Sequence, residues 1–308
     1  MEDKRLHFLV RAEEIVRLAI VGAALFLVFH LEGNTADRRM FGPSLFRWMT
    51  IRWGDATFNV GDYSHGWLIP LVSLYVLWRN RRAIVEAPKS CDWTAAPVVA
   101  GACALHWLGA RAQQPRVSLM AFILLLWAIP WLFYGRRLAR ILVFPCFYLV
   151  FCIPMNFFDV FSFSLRIFAT KVSVAVLNGL AIPVVRTGSA IRSVTGQFNI
   201  EVADPCSGIR SLLAMAALAT AYAHFALPRF WKQASLVAAS IPIVVAGNVA
   251  RIVSIGVVGS VMGEKAALRY YHDASGYVVF AVAALLLAGC ASVLRRLPYR
   301  FSMHLLQK

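Results

Sequence analysis

Acidic side chains are scarce in this sequence. Fifteen Asp and Glu stand against 31 Lys and Arg in 308 residues, and charged residues of both signs make up only 15%. So little charge cannot cover the surface of a water-soluble domain of this length. The six cysteines lack paired spacing. Cys103, Cys146, Cys152 and Cys290 fall in apolar runs and Cys91 in a basic loop, which removes support for a disulfide framework or a metal site. No basic groove with interleaved aromatics accompanies the net charge of +16, so nucleic acid is not an expected partner. Internal repeats, low-complexity tracts and a second domain are also missing. Residues 1–308 read as one integral membrane domain.

What is abundant is apolar sequence: 60% of the residues are hydrophobic. Several runs approach or exceed the ~18–20 residues that cross a bilayer as a helix. The expected fold is an all-α polytopic bundle of about eight spans. They lie near 15–31, 63–78, 94–108, 117–133, 139–154, 206–225, 235–262 and 274–294. The first has no small-residue cleavage site and is expected to be retained. Residues 32–62, with mixed charge and several aromatics, read as a loop with an interfacial helix. In the stretch 157–185, Asp159, Arg166, Lys171 and Asn178 interrupt the apolar positions, which predicts an amphipathic surface helix. Residues 184–202 alternate polar and β-branched or aromatic residues, with turns at Gly188 and Gly196, which predicts a short hairpin.

Short basic segments set the orientation. The N-terminus and residues 79–89, 136–140, 229–232 and 295–300 alternate onto one side, which the positive-inside rule makes cytoplasmic. Arg111 and Arg116 run against the rule in a short outer loop. Cys206 then starts the sixth span from the outside. At ~1.5 Å per residue, Arg251 lies about 26 Å along the outward-running seventh span, near the outer edge of a ~30 Å hydrocarbon core. His272 precedes the eighth span in an outer loop.

Three chemically distinct groups therefore meet at one depth. Asp204 suits an N-cap and Pro205 a first helical position, which places Cys206 in the first turn. Unpaired N–H groups and the helix dipole there favour a thiolate, with Arg210 one turn further on. The alternative is a tight turn capping a membrane helix. An intramembrane Arg is functional by default, although Arg251 is also placed to snorkel. Asn248, three residues earlier on the same face, favours an inward polar cluster. Without its neighbours, His272 would be an ordinary interfacial histidine.

Pro205-Cys206-Ser207-Gly208-Ile209-Arg210-Ser211, Asn248-Val249-Ala250-Arg251-Ile252, and His272 with Gly276 together resemble the exosortase/archaeosortase family of membrane transpeptidases. Tyr63-Ser64-His65-Gly66-Trp67, Phe144-Pro145 to Ile153-Pro154, and the run from Gly188 to Val202 add to the resemblance. It covers most of the chain from about residue 60, and His272 makes the chain similar to bacterial members. Pro205 departs from the small residue common there. No fused soluble hydrolase domain is expected beyond the last span.

The resemblance implies a cysteine-type peptidase or transpeptidase of the cell inner membrane. Cys206 is the implied nucleophile, completed by Arg251 and His272. Ser207, Arg210, Asn248, His65 and Asp273 are supporting or substrate-binding candidates. No metal or cofactor is implied. The implied substrates are exported proteins with a C-terminal tripartite sorting signal: a short motif, a transmembrane helix and a basic cluster. The PEP-CTERM type is the familiar bacterial case. The competing class is a transporter or exopolysaccharide-export component without covalent chemistry. That class calls for polar groups and broken helices at mid-membrane.

Overall fold

The computed structural model describes residues 2–33, 36, 38–54, 63–154, 159–201, 209–267 and 271–297. Helical residues 2–15, 40, 159–162, 209–210 and 272–274 are described through their backbone alone. The chain is mostly helical, with three short strands among the described residues, and divides into two compact units, Met1–Met155 and Asn156–Lys308.

The first unit holds α1 (Glu2–Leu31), α2 (Arg38–Phe41), α3 (Leu45–Gly54), α4 (Leu68–Arg79), α5 (Arg81–Glu86), α6 (Ala96–Arg111), α7 (Pro115–Tyr134) and α8 (Arg136–Tyr148). The helix α7 begins on a proline, whose missing N–H would have no partner in a first turn anyway. It stops at Gly135, whose φ of +86° suits a residue without a Cβ. Its 20 residues span about 30 Å, the thickness of a hydrocarbon core. A helix does stand within 32–62, as α3. The stretch 139–154, expected as the fifth span, holds most of α8 and a 3-10 turn over Leu149–Cys152, and α8 with its 13 residues is not among the helices long and apolar enough to cross a membrane.

Two segments that carry the family resemblance meet inside this unit. The 3-10 turn Ser64–Trp67, which contains half-buried His65, packs Gly66 beneath the Trp53 indole, where any side chain would collide. Trp53 Nε1 in turn donates to the Cys152 carbonyl at 2.8 Å. Arg116, which ran against the charge rule, donates through Nε to the Pro154 carbonyl at 2.7 Å and so holds the same corner. At another corner Asp92 accepts from Thr94 Oγ1 (2.5 Å), Trp131 Nε1 (3.0 Å) and Arg136 Nε (2.8 Å). These donors, the Thr94 hydroxyl foremost, hold its carboxyl down at a pKa of about 2.

The second unit is built on α11 (Phe230–Met262). Its 33 residues extend about 50 Å, longer than a bilayer core. It starts at Phe230 rather than near 235 because Arg229 is the extended N-cap and nothing after it breaks the helix. One side packs on α9 (Asp159–Gly179) and a small sheet, and the other on α10 (Ile209–Ala226) and α13 (His272–Arg296). The short α12 (Glu264–Ala266) follows α11. Among the described residues, Pro115–Tyr134, Phe230–Met262 and Ser275–Arg296 are long and apolar enough to cross a membrane; Val16–Leu31 and Ser211–Ala226 are shorter apolar helices.

The expected hairpin has a third strand. β1 (Val184–Thr187), β2 (Ala190–Ser193) and β3 (Asn199–Glu201) form an antiparallel meander in that order. Gly188 and Gly196 have positive φ, as the turns require. Asn178, read from sequence as a polar interruption, clips the sheet to α9. Its side chain accepts from Val184 N at 2.9 Å and donates to Val184 O at 3.1 Å. The Glu264 carboxylate accepts from Asn199 N at 3.1 Å, tying β3 to the turn between α11 and α13.

Inward-facing Ile191, Phe198 and Ile200 sit on α11. Gly259 makes that contact possible, and Gly256 lets Leu177 of α9 close on the same helix. A Cβ at Gly259 would come within 3.1 Å of the buried Phe198 ring, and one at Gly256 within 2.8 Å of Leu177 Cδ1. We expect Gly259→Leu to lift the sheet from α11 and destabilise the fold by about 1–3 kcal/mol, the usual range for overpacking. Faster proteolysis within residues 184–201, with the first unit still intact, would show it. An unchanged digestion pattern would refute it.

Candidate active site

One end of the second unit can be recognised from its basic residues. Buried Lys232, at the start of α11, donates to the Leu297 carbonyl at 3.1 Å, just past the end of α13. Arg295 Nε donates to the Ala226 carbonyl at 3.2 Å, at the end of α10. Cations at helix C-termini satisfy unpaired carbonyls and suit the dipole. The C-termini of α10 and α13 therefore share an end with the N-terminus of α11. The N-termini of α10 and α13 lie toward the other end, beside the second half of α11.

That second half carries Asn248 and Arg251. At three residues apart they share a face. Asn248 is buried and Arg251 half-buried. Arg251 Nε donates to Ser275 Oγ at 3.3 Å, and Ser275 is itself buried. Next to it, a Cβ at Gly276 would lie 3.3 Å from one terminal guanidinium nitrogen and 3.4 Å from the central carbon. The guanidinium thus rests against the first turn of α13. Ser275 and Gly276 follow His272 by three and four residues, so they stand on the helical face that His272 begins.

The third helix reaches the same place. Ser211 of α10, five residues after Cys206, lines a small cavity with Asn248, Arg251, Gly276, Met215 and Phe280. Its volume is about 20 Å³, room for roughly one water. Polar groups line one part of it and apolar side chains the rest.

The structure therefore joins Arg251 and Asn248 with the first turn of α13 and the first described turn of α10. Cys206 and Ser207 lie outside the described residues. So do Asp204 and Pro205, and with them the expected cap. Arg210, His272 and Asp273 are placed by backbone only. His65 stands in the first unit, its ring centroid 5.7 Å from that of Tyr63. Ser275 was missed from sequence. Its one signal was a small polar residue beside Gly276, one turn past His272. The five described cysteines, Cys91, Cys103, Cys146, Cys152 and Cys290, are free.

A helical chain with apolar spans, and a cationic group held between three of its helices, defines a polytopic membrane protein with a polar site inside its helix bundle. Comparison with protein families gives the particular kind. Residues 53–289 match the family described as transmembrane exosortase, and the chain belongs to it. The match runs through both units and includes every candidate site residue. No curated protein and no solved structure matches the chain.

Proposed function

We propose that this chain is a membrane-embedded cysteine transpeptidase that removes C-terminal sorting signals from exported proteins. The observation that carries the reading is the seat of Arg251. Its guanidinium is held against the turn that His272 begins, in a cavity that Ser211, five residues after Cys206 in sequence, also lines. The convergence of three helix segments is what a site assembled from Cys206, Arg251 and His272 requires.

In the proposed reaction the Cys206 thiolate attacks a backbone carbonyl carbon of the substrate and forms a tetrahedral oxyanion. The C–N bond then breaks, leaving a thioester on Cys206. His272 takes the thiol proton and passes it to the departing amine, roles open to an imidazole. Arg251 stays protonated throughout and stabilises the thiolate or the oxyanion. Water or another nucleophile attacks the thioester carbonyl, releases the product and returns the thiolate. Arg210, Ser207, Asn248 and Asp273 serve as supporting or substrate-contacting groups. No metal or cofactor takes part.

The partners in this reading are exported proteins bearing a tripartite signal, with lipid around the bundle. An apolar groove of about 810 Å³ runs along α11 beside α9, with Val249, Val253 and Val257 facing Phe168 and Val172 and with Tyr271 among its lining residues. It offers an apolar wall to the substrate's transmembrane helix, next to the turn that carries His272. In this reading the chain crosses the cell inner membrane about eight times, with Cys206, Arg251 and His272 on the extracytoplasmic side. The shared end marked by Lys232 and Arg295 supports that sidedness under the positive-inside rule.

Two measurements test the reading. A membrane-impermeant thiol reagent applied to intact spheroplasts should label Cys206 and leave Cys91 unmodified until the membrane is permeabilised. Labelling of Cys91 instead would invert the orientation. Co-expression with signal-bearing candidate substrates should give a Cys206-dependent loss of mass from the substrate. If no signal-bearing protein is shortened, the transporter class takes precedence.

A further inference from the structure

We propose that Ser275 is a positioning residue for Arg251, and that Gly276 beside it provides the space this arrangement needs. The inference rests on the reading of Arg251 as a site residue. It adds a group that neither the sequence motifs nor the family match assigns.

An arginine near the edge of a bilayer has an easy alternative to any fixed position. Its long, flexible stem lets the charged head snorkel toward water. A guanidinium that must meet a developing negative charge has to be held in one plane instead, because its value over an ammonium lies in directional N–H bonds. The structure shows how that plane is set. The hydrogen bond to Ser275 is made by Nε, the inner nitrogen, at 3.3 Å. A bond there orients the whole planar group and so directs its terminal nitrogens. Ser275 is 5% exposed. Water therefore competes little for its hydroxyl, and a buried hydroxyl is costly to leave without a partner.

Gly276 bounds the same group from beside Ser275. The closest approach of a built Cβ, 3.3 Å to a terminal nitrogen, is tighter than ordinary van der Waals contact. Even one methyl group there would push the guanidinium aside. Both residues stand one turn after His272 on one helical face. A single turn of α13 thus carries His272 and sets the plane of Arg251, and the two groups stay in register even if α11 and α13 shift slightly along each other. The competing reading is that Ser275 and Gly276 are small only so that two helices can pack closely.

The test uses the full-length protein in detergent micelles with ¹⁵Nε-labelled arginine. The Arg251 Nε–H signal is identified by its loss in Arg251→Lys. Ser275→Ala keeps the packing volume and removes the acceptor. It should shift that signal and speed its exchange with solvent about tenfold. Ser275→Thr should restore slow exchange, and Gly276→Ala should shift the signal with the hydroxyl still present. An unchanged signal in Ser275→Ala, or failure of Thr to rescue, would overturn the proposal.

Processing of a signal-bearing substrate provides a second readout. Ser275→Ala should slow it about tenfold in the wild-type background and have no further effect on the residual rate of Arg251→Lys, as for residues acting through one group. Additive losses would mean a packing role only. If the wild-type protein processes nothing while the resonance still responds as expected, the transpeptidase reading fails and the positioning of Arg251 stands.

Discussion

Cys206→Ala is expected to abolish substrate processing while the protein accumulates in the membrane at its normal level. Removing a covalent nucleophile typically lowers kcat by several orders of magnitude, and on the order of 10⁴-fold or more is expected here. Cys206→Ser should recover almost none of it. The proposed attack needs a thiolate, which a thiol yields far more readily than a serine hydroxyl yields an alkoxide; serine needs a strongly activated base. A thioester between Cys206 and the new C-terminus of the substrate should accumulate when the acceptor is limiting. It should be cleaved by hydroxylamine and be missing in Cys206→Ala. The measurement is intact-mass analysis of enzyme and substrate from matched membranes. Normal shortening of the substrate in the Cys206→Ala strain, with no other peptidase present, would rule out the covalent route.

Arg251→Lys keeps the charge and should still reduce processing by about 10²-fold, the scale reported on loss of one donor to a developing oxyanion. The structural reason is the bond to Ser275. Arginine donates through Nε to the Ser275 hydroxyl at 3.3 Å, which fixes the plane of its guanidinium. Lysine has one nitrogen at the end of its stem, a compact point charge without the planar fork. If Arg251 only snorkelled to the interface, lysine would serve as well. Steady-state processing rates at matched expression decide between the two. A Lys variant within about twofold of wild type would move Arg251 from chemistry to membrane anchoring.

Much of the secondary structure was legible in the chain itself, because a bilayer imposes a length rule. An apolar run has to form a helix to satisfy its own backbone, so composition and run length predict α7, α11 and α13 directly. The amphipathic stretch before the sheet became α9, and Gly188 and Gly196 became turns. The third strand was not separated from the hairpin because β3 has only three residues, too few for its alternation to stand out. Its place depends on Phe198 and Ile200 reaching Ile252 and Ile255 of α11, more than 50 residues later in sequence.

The motifs around Cys206, Arg251 and His272 were visible as residue types at fixed spacings, and they sufficed to indicate the family to which the chain belongs. Tertiary structure decided how these segments meet. Trp53 holds the Cys152 carbonyl across 99 positions, and no local pattern encodes a bond of that span. Ser275 meets Arg251, 24 positions away in sequence, only because α11 and α13 pack antiparallel. Periodicity and composition act along the chain and are written in it. The partner of a buried polar group is chosen by which helices lie side by side, and only the packed fold determines that.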